Sequence, residues 1–309
     1  MGFPPSYPPP PDGPPAYTYP PVLGPYQVSR NLWLGIGAVI VIVVLLLGVM
    51  GYVFVGYAYA STRISDAAGA VNSASAHRGY VNNTFDLLQQ QVSSIGTVMD
   101  NKMGKSNSGQ LVSESRLMSR TVAGDDQSLA TARRGLHDQR WLTSITSSGR
   151  LAGEAARVDL ARKAVAAIRS AAADYVLLGE FLQAYYQAMI DWDTLLADAK
   201  DNDFVGAAGA DSLFSTDLAS ALQISNAPGL PVEFNEFLVA VQAYATDIGK
   251  VLNAIAARDK SAFDAADKLV LADLAKANAI DITSTPAKIN SYYKHYRDDF
   301  NSDMDKATA

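Results

Sequence analysis

The sequence predicts an all-α protein: a single N-terminal transmembrane helix continuing into an extracytoplasmic bundle of about five to seven helices with coiled-coil-like packing. Three observations carry this expectation. Residues 32–62 contain no charged side chain. No proline occurs between Gln27 and Ala227. Past residue 62, apolar residues recur at three- and four-residue steps, with no sustained two-residue alternation of Val, Ile and Thr.

The chain begins with a different chemistry. Residues 1–26 hold 11 of the 14 prolines and four tyrosines, with no Lys, Arg or Glu. Proline lacks a backbone donor and favours the polyproline II conformation over a packed core, so residues 1–30 read as a disordered tail. Two PPxY tetrapeptides lie in it: Pro4 and Pro5 with Tyr7, and Pro14 and Pro15 with Tyr17. WW domains dock such segments in aromatic grooves. A spacer with this composition produces the pattern by chance, and partner docking is the sharper alternative. The tail resembles in composition the cytoplasmic tails of prokaryotic single-pass proteins.

Residues 31–60 read as the transmembrane helix. The densest apolar run, 34–55, has 22 residues. At about 1.5 Å per residue it covers roughly 33 Å, against a hydrocarbon core of about 30 Å. Trp33 flanks one end; Tyr52, Phe54, Tyr57 and Tyr59 flank the other, as an aromatic belt does. Ala58-Tyr59-Ala60 fits a signal-peptidase site. The run is nevertheless far longer than the roughly 7–15 residues of a signal peptide, so the expectation is an uncleaved signal-anchor. Arg30 on one side and Arg63 on the other leave positive-inside counting balanced. The short tail and large C-terminal part favour a cytoplasmic tail and an extracytoplasmic domain at the cell membrane.

Residues 61–309 form the expected helical domain, with a possible subdivision near 201–210. The first helix continues from the membrane: Ile64, Ala67, Val71, Ala74, Arg78, Val81, Phe85, Leu88, Val92, Ile95 and Met99 fall at alternating three- and four-residue steps, a heptad seam. Arg78 interrupts it. If the seam packs within one chain, Arg78 needs a carboxylate; in a parallel dimer two copies would repel. A monomeric bundle is favoured on that ground. Residues 104–109 (GKSNSG) read as the next turn.

A second helix over about 110–146 carries Leu111, Leu117, Met118, Val122, Leu129, Leu136 and Trp141, with a break expected at Gly124-Asp125-Asp126. The third, about 150–200, has the strongest stripe: Leu151, Val158, Val165, Ile168, Ala172, Tyr175, Leu182, Tyr185, Met189, Trp192 and Leu196. Asp201-Asn202-Asp203 with Gly206 and Gly209 is expected to end it. A short helix near 211–224 precedes the loop Pro228-Gly229-Leu230-Pro231, with Pro231 in the first turn of the next helix. That helix carries Phe234, Phe237, Val241, Tyr244, Ile248, Val251 and Ile255. Ser261 is expected to cap a helix with Phe263, Leu269, Val270 and Leu274, and Thr285-Pro286 to open the last one, with Ile289, Tyr293, Tyr296, Phe300 and Met304.

Chemistry is sparsely signalled. There is no cysteine, which excludes disulfides and thiolate sites. The net charge of −6 implies no general nucleic-acid affinity. Residues 61–170 carry 14 Lys and Arg against 9 Asp and Glu, and residues 171–309 carry 10 against 21. The two parts are expected to neutralise each other by packing, or the acidic part to meet a basic partner. His77, His137 and His295 stand in no metal-ligand spacing, and His137-Asp138 has no nucleophile motif beside it. Asp201-Asn202-Asp203 begins like a calcium loop, but Val205 and Ser212 occupy ligand positions. Phe181, Tyr185, Tyr186 and Trp192 are the most pocket-like group: core by helical spacing, a small-molecule pocket between helices as the alternative.

No catalytic residues, cofactor or metal are therefore expected. The expected function is a non-enzymatic, single-pass, membrane-anchored helical domain acting as a cell-envelope interaction or structural module, with the lipid bilayer and a protein as partners. The alternative is an extracytoplasmic ligand-sensing bundle. At the level of fold the domain resembles the helical sensor domains of chemoreceptors and sensor kinases. Those carry a second span and an output domain, which this sequence does not display, so sensing would act through a partner.

Overall fold

The computed structural model describes residues 30–93, 100–138, 140–143 and 147–309. The tail with both PPxY segments, and Ile95 and Met99 of the seam, lie outside them. Among the described residues every regular element is helical: α1 Arg30–Ala76, α2 Arg78–Ser93, α3 Asn101–His137, α4 Arg140–Thr143, α5 Ser148–Lys200, α6 Phe204–Gln223, α7 Val232–Ala257, α8 Lys260–Ala279 and α9 Thr285–Thr308. The chain divides into two compact units, Met1–Tyr52 and Val53–Ala309.

In the first unit, the described stretch belongs to α1. Its side chains from Ile40 to Met50 are exposed, Val49 and Leu45 among them, and uncharged. Among the described residues one helix is, by length and composition, apolar enough to cross a membrane.

The second unit is built around α5. Its 53 residues span about 80 Å as a helix. Small residues (Ala161, Ala164, Ala171, Ala172, Gly179) alternate with Val158, Val165, Ile168, Tyr175, Leu178 and Phe181, and all are buried. This composition lets helices approach on more than one side: α3, α6 and α9 all pack on α5. Further out, α7 packs on α6 and α8 on α7, while α2 packs on α9 and α3. The seam is inside: Ala67, Val71, Ala74, Val81, Phe85, Leu88 and Val92 are all buried, across a one-residue turn at His77 that separates α1 from α2. Phe85 meets the edge of Tyr175 at 5.8 Å, and Tyr175 stacks on Tyr293 at 3.7 Å. These three rings join α2, α5 and α9. The Tyr293 hydroxyl donates to Pro228 O at 3.0 Å, fixing the 228–231 loop over α9.

Several boundaries differ from the sequence expectation. Residues 104–109 are no turn but lie inside α3, which starts at Asn101 with Asp100 as N-cap, its side chain accepting from Lys102 N at 3.0 Å. The reason is packing: a Cβ at Gly104 would come within 2.4 Å of the Tyr186 ring, so this glycine admits a neighbouring helix. The break at Gly124-Asp125-Asp126 is absent too. Both aspartates stay helical and accept bonds from outside α3: Asp125 from His77 at 2.9 Å, Asp126 from Arg162 at 3.3 Å and Arg169 at 2.8 Å. α3 ends at His137 rather than near 146, and Leu117 and Trp141 are exposed.

α5 ends where expected, with Asn202 in the left-handed region (φ 59°). Gly206 and Gly209, however, belong to α6, whose N-cap Asp203 accepts from Gly206 N at 2.9 Å. Pro231 is an N-cap and not a first-turn residue. α8 is capped by Asp259, which accepts from Ala262 N at 3.0 Å, and Ser261 is its second residue. Its buried face is Ala266, Asp273 and Ala277, so Leu269, Leu271 and Leu274 are left exposed. Thr285-Pro286 opens α9 as expected.

Candidate functional site

The residues singled out from the sequence do not converge. Phe181 and Tyr185 pack on each other and on Phe234, and Tyr186 packs on Tyr185, with centroids 5.4–6.3 Å apart. Trp192, two to three turns further along α5, belongs to a second group with Phe214 at 5.3 Å and Tyr244 at 5.5 Å. The cavity at the edge of Tyr186 measures 10 Å³, room for about one water. Burial pushes the Tyr185 hydroxyl up to about 12. The acidic C-terminus is tied into the fold: Asp303 to Lys163 at 2.9 Å, Asp298 to Lys294 at 2.6 Å and Asp305 to Arg78. Among the described residues no group of three or more His, Asp or Glu is arranged to hold a metal ion.

Two arrangements were not anticipated. The first is a polar chain through the middle of the domain. Lys105 of α3 donates to Gln187 of α5, Gln187 Nε2 donates to Asp191 Oδ1 at 3.0 Å, and Asp191 Oδ2 is enclosed without a hydrogen-bond partner. Burial, and then the neighbouring carboxyl of Asp217 in α6, push the Asp191 carboxyl up to about 6. Burial alone pushes Asp211 up to about 6; its Oδ1 is enclosed without a hydrogen-bond partner.

The second is an open cleft of 910 Å³ where α1, α3 and α5 meet. Arg63, Arg133, Arg134, His137 and Arg162 line it, with Asp138 and Asp159 as the acidic residues. Four arginines face two carboxylates in a chain whose net charge is −6. Arg63 comes from α1. Its guanidinium lies 5.0 Å from the centroid of Tyr59, one turn earlier, and comes close to α3 because position 135 is glycine: a Cβ there would stand 3.3 Å from Arg63 Nη1. Arg133 bonds Asp159 through Nε at 2.7 Å, leaving its Nη1 enclosed without an acceptor. Among the described residues Arg134 bonds within its own helix, at Ala130 O (3.4 Å) and the Thr131 hydroxyl (3.3 Å). Arg162 is held by Asp126. A second cleft of 530 Å³ continues on the other side of Arg63, along Asp66, Ala70 and Ser73 of α1. Guanidinium groups lining an open cleft suit an anion with several acceptor oxygens. Of the expected residues only His137-Asp138 falls here, in a lining role with no nucleophile beside it.

Comparison with protein-family models, curated proteins and solved structures finds no match to this chain.

Proposed function

We propose that the protein is a non-enzymatic, single-pass membrane-anchored module of the cell envelope. Its proline-rich tail lies in the cytoplasm, and its coiled-coil-like helical bundle lies outside, bound to a protein partner. The observation that carries this reading is α1. One uninterrupted helix, Arg30–Ala76, contains both the exposed apolar run and residues buried in the domain, Ala60, Ala67, Val71 and Ala74 among them. An anchor continuous with a structural helix suits a device that holds a domain at the bilayer.

A partner is supported by α8. Leu271 and Leu274, 59% and 39% exposed, stand three positions apart on one face of a helix that packs on α7. The test is a photo-cross-linking residue at Leu271 in the full chain in its native membranes. The expected result is one discrete adduct, absent when the same residue replaces exposed Leu117 of α3. Equal or no labelling at both positions contradicts the reading.

The second reading, ligand sensing through a partner, is favoured by one feature: the arginine-lined cleft opens beside α1 itself, the helix that would transmit a signal.

A further inference from the structure

We propose that the cleft between α1, α3 and α5 binds the phosphate group of an anionic lipid. The inference rests on the membrane-anchored reading of α1 and gives that anchor a specific lipid contact.

The chemistry comes first. An anion placed in the cleft would meet Arg63 and Arg134, neither of which forms an ion pair with a carboxylate among the described residues. Guanidinium groups with free N–H donors at an open cleft bind a phosphate through charge-assisted hydrogen bonds. Phosphate offers several oxygens to groups that converge from two helices, which a single carboxylate does not. Asp159 holds Arg133 through its Nε at the edge of the same cleft.

Position then selects the source of the phosphate. Arg63 stands eight residues beyond Val55, the end of the apolar run, on the same helix. Eight residues rise about 12 Å along a helix axis. The interfacial layer extends roughly 5–8 Å beyond the hydrocarbon on each side, and arginine's long stem covers the remaining distance. Tyr57 and Tyr59, on the intervening turns, are the residue type that settles at that layer. A lipid phosphate is thus the anion present near Arg63 at high local concentration.

The experiment uses the full chain in a neutral detergent. Native mass spectrometry follows adducts formed with an equimolar mixture of phosphatidic acid and phosphatidylcholine of the same acyl chains. The parent is expected to retain phosphatidic acid in preference, and Arg63→Gln with Arg134→Gln to lose that preference by roughly twentyfold. Arg134→Gln alone, at an exposed position, is expected to lose about fivefold with the fold intact by circular dichroism. Arg116→Gln with Lys200→Gln removes the same charge elsewhere and is expected to keep the preference; equal loss there overturns the site. Millimolar inorganic phosphate is expected not to displace the lipid, and full displacement would assign the cleft to a soluble phosphate. A carbonate wash of native membranes separates the two proposals. Release of the chain overturns the anchor and the lipid site together, whereas retention without lipid preference overturns the lipid site alone.

Discussion

Arg78 of α2 and Asp305 of α9, 227 residues apart in the chain, form an ion pair that closes the heptad seam within one molecule. Asn301, one turn before Asp305, accepts from Arg78 Nε at 2.8 Å and is itself bonded to Asn82. Asp86, on the same face of α2, takes Arg297 at 2.7 Å. A cation that the seam cannot bury is thus met by a polar ladder along α9, at the rim of the apolar contact made by Phe85, Leu88 and Tyr293.

Because this ladder is half exposed, its removal is expected to be mild. Arg78→Met should cost about 1 kcal/mol, the range of one or two solvated polar bonds. Phe85→Asp places an unpaired charge against Tyr175 and should cost at least about 3 kcal/mol. Thermal unfolding of residues 61–309 followed by circular dichroism measures both. Light scattering on the parent fragment is expected to give a monomer over a hundredfold concentration range. A dimeric parent with a folded monomeric Phe85→Asp variant would mean that the seam serves a second chain.

Two glycines in helices should respond with opposite signs. A Cβ at Gly179 would stand 2.6 Å from Val112 Cγ2 and 3.2 Å from Ser108 O, where α5 crosses α3. Gly179→Ala should therefore destabilise the domain by about 1–3 kcal/mol through overpacking. Gly124, inside α3, has nothing within 4 Å of the same position. Gly124→Ala should stabilise by up to about 1 kcal/mol through helix propensity. Urea midpoints of the two variants check the pair.

Much of this fold was legible because one-dimensional spacing maps directly onto a helix face. The seam from Ala67 to Val92, the α5 stripe and the Thr285-Pro286 opening depend only on periodicity and local turn chemistry. Gly104 misled because GKSNSG has the composition of a turn, while its actual role depends on Tyr186, 82 residues away. Asp125 and Asp126 suggested a break for the same reason: their partners, His77, Arg162 and Arg169, lie outside α3. At α8 two competent caps, Asp259 and Ser261, lie two residues apart, and composition cannot rank them. The arginine cleft draws on positions 63, 133, 134 and 162, which no local motif joins. Its one trace in the sequence is the excess of 14 basic over 9 acidic residues between 61 and 170.

Stability should rise, not fall, on mild acidification. Asp191 and Asp211 have carboxyls pushed up to about 6, above their unfolded values. A raised carboxyl contributes stability that is complete below the unfolded value, near 4, and is lost as pH climbs through 6. From pH 7 to pH 5 the domain should gain up to a few kcal/mol. Below about pH 4 it should weaken again, as Glu233, Asp273 and Asp281 are protonated; Lys288, Lys276 and Thr283 respectively hold these carboxyls below their usual range. Asp211→Asn should be more stable than the parent at pH 7 and show a flatter profile. Urea unfolding at pH 4, 5, 6 and 7 measures this, and a parent that loses stability steadily from pH 7 to pH 5 would contradict the assignment.

The most direct test of the membrane-anchored account is protease accessibility of epitopes placed at Met1 and after Ala309, in intact cells and again after lysis. The account predicts that protease added to intact cells removes the Ala309 epitope and spares the Met1 epitope, with both lost on lysis. Loss of the Met1 epitope with survival of the Ala309 epitope in intact cells, or release of the full chain into the soluble fraction, would contradict it.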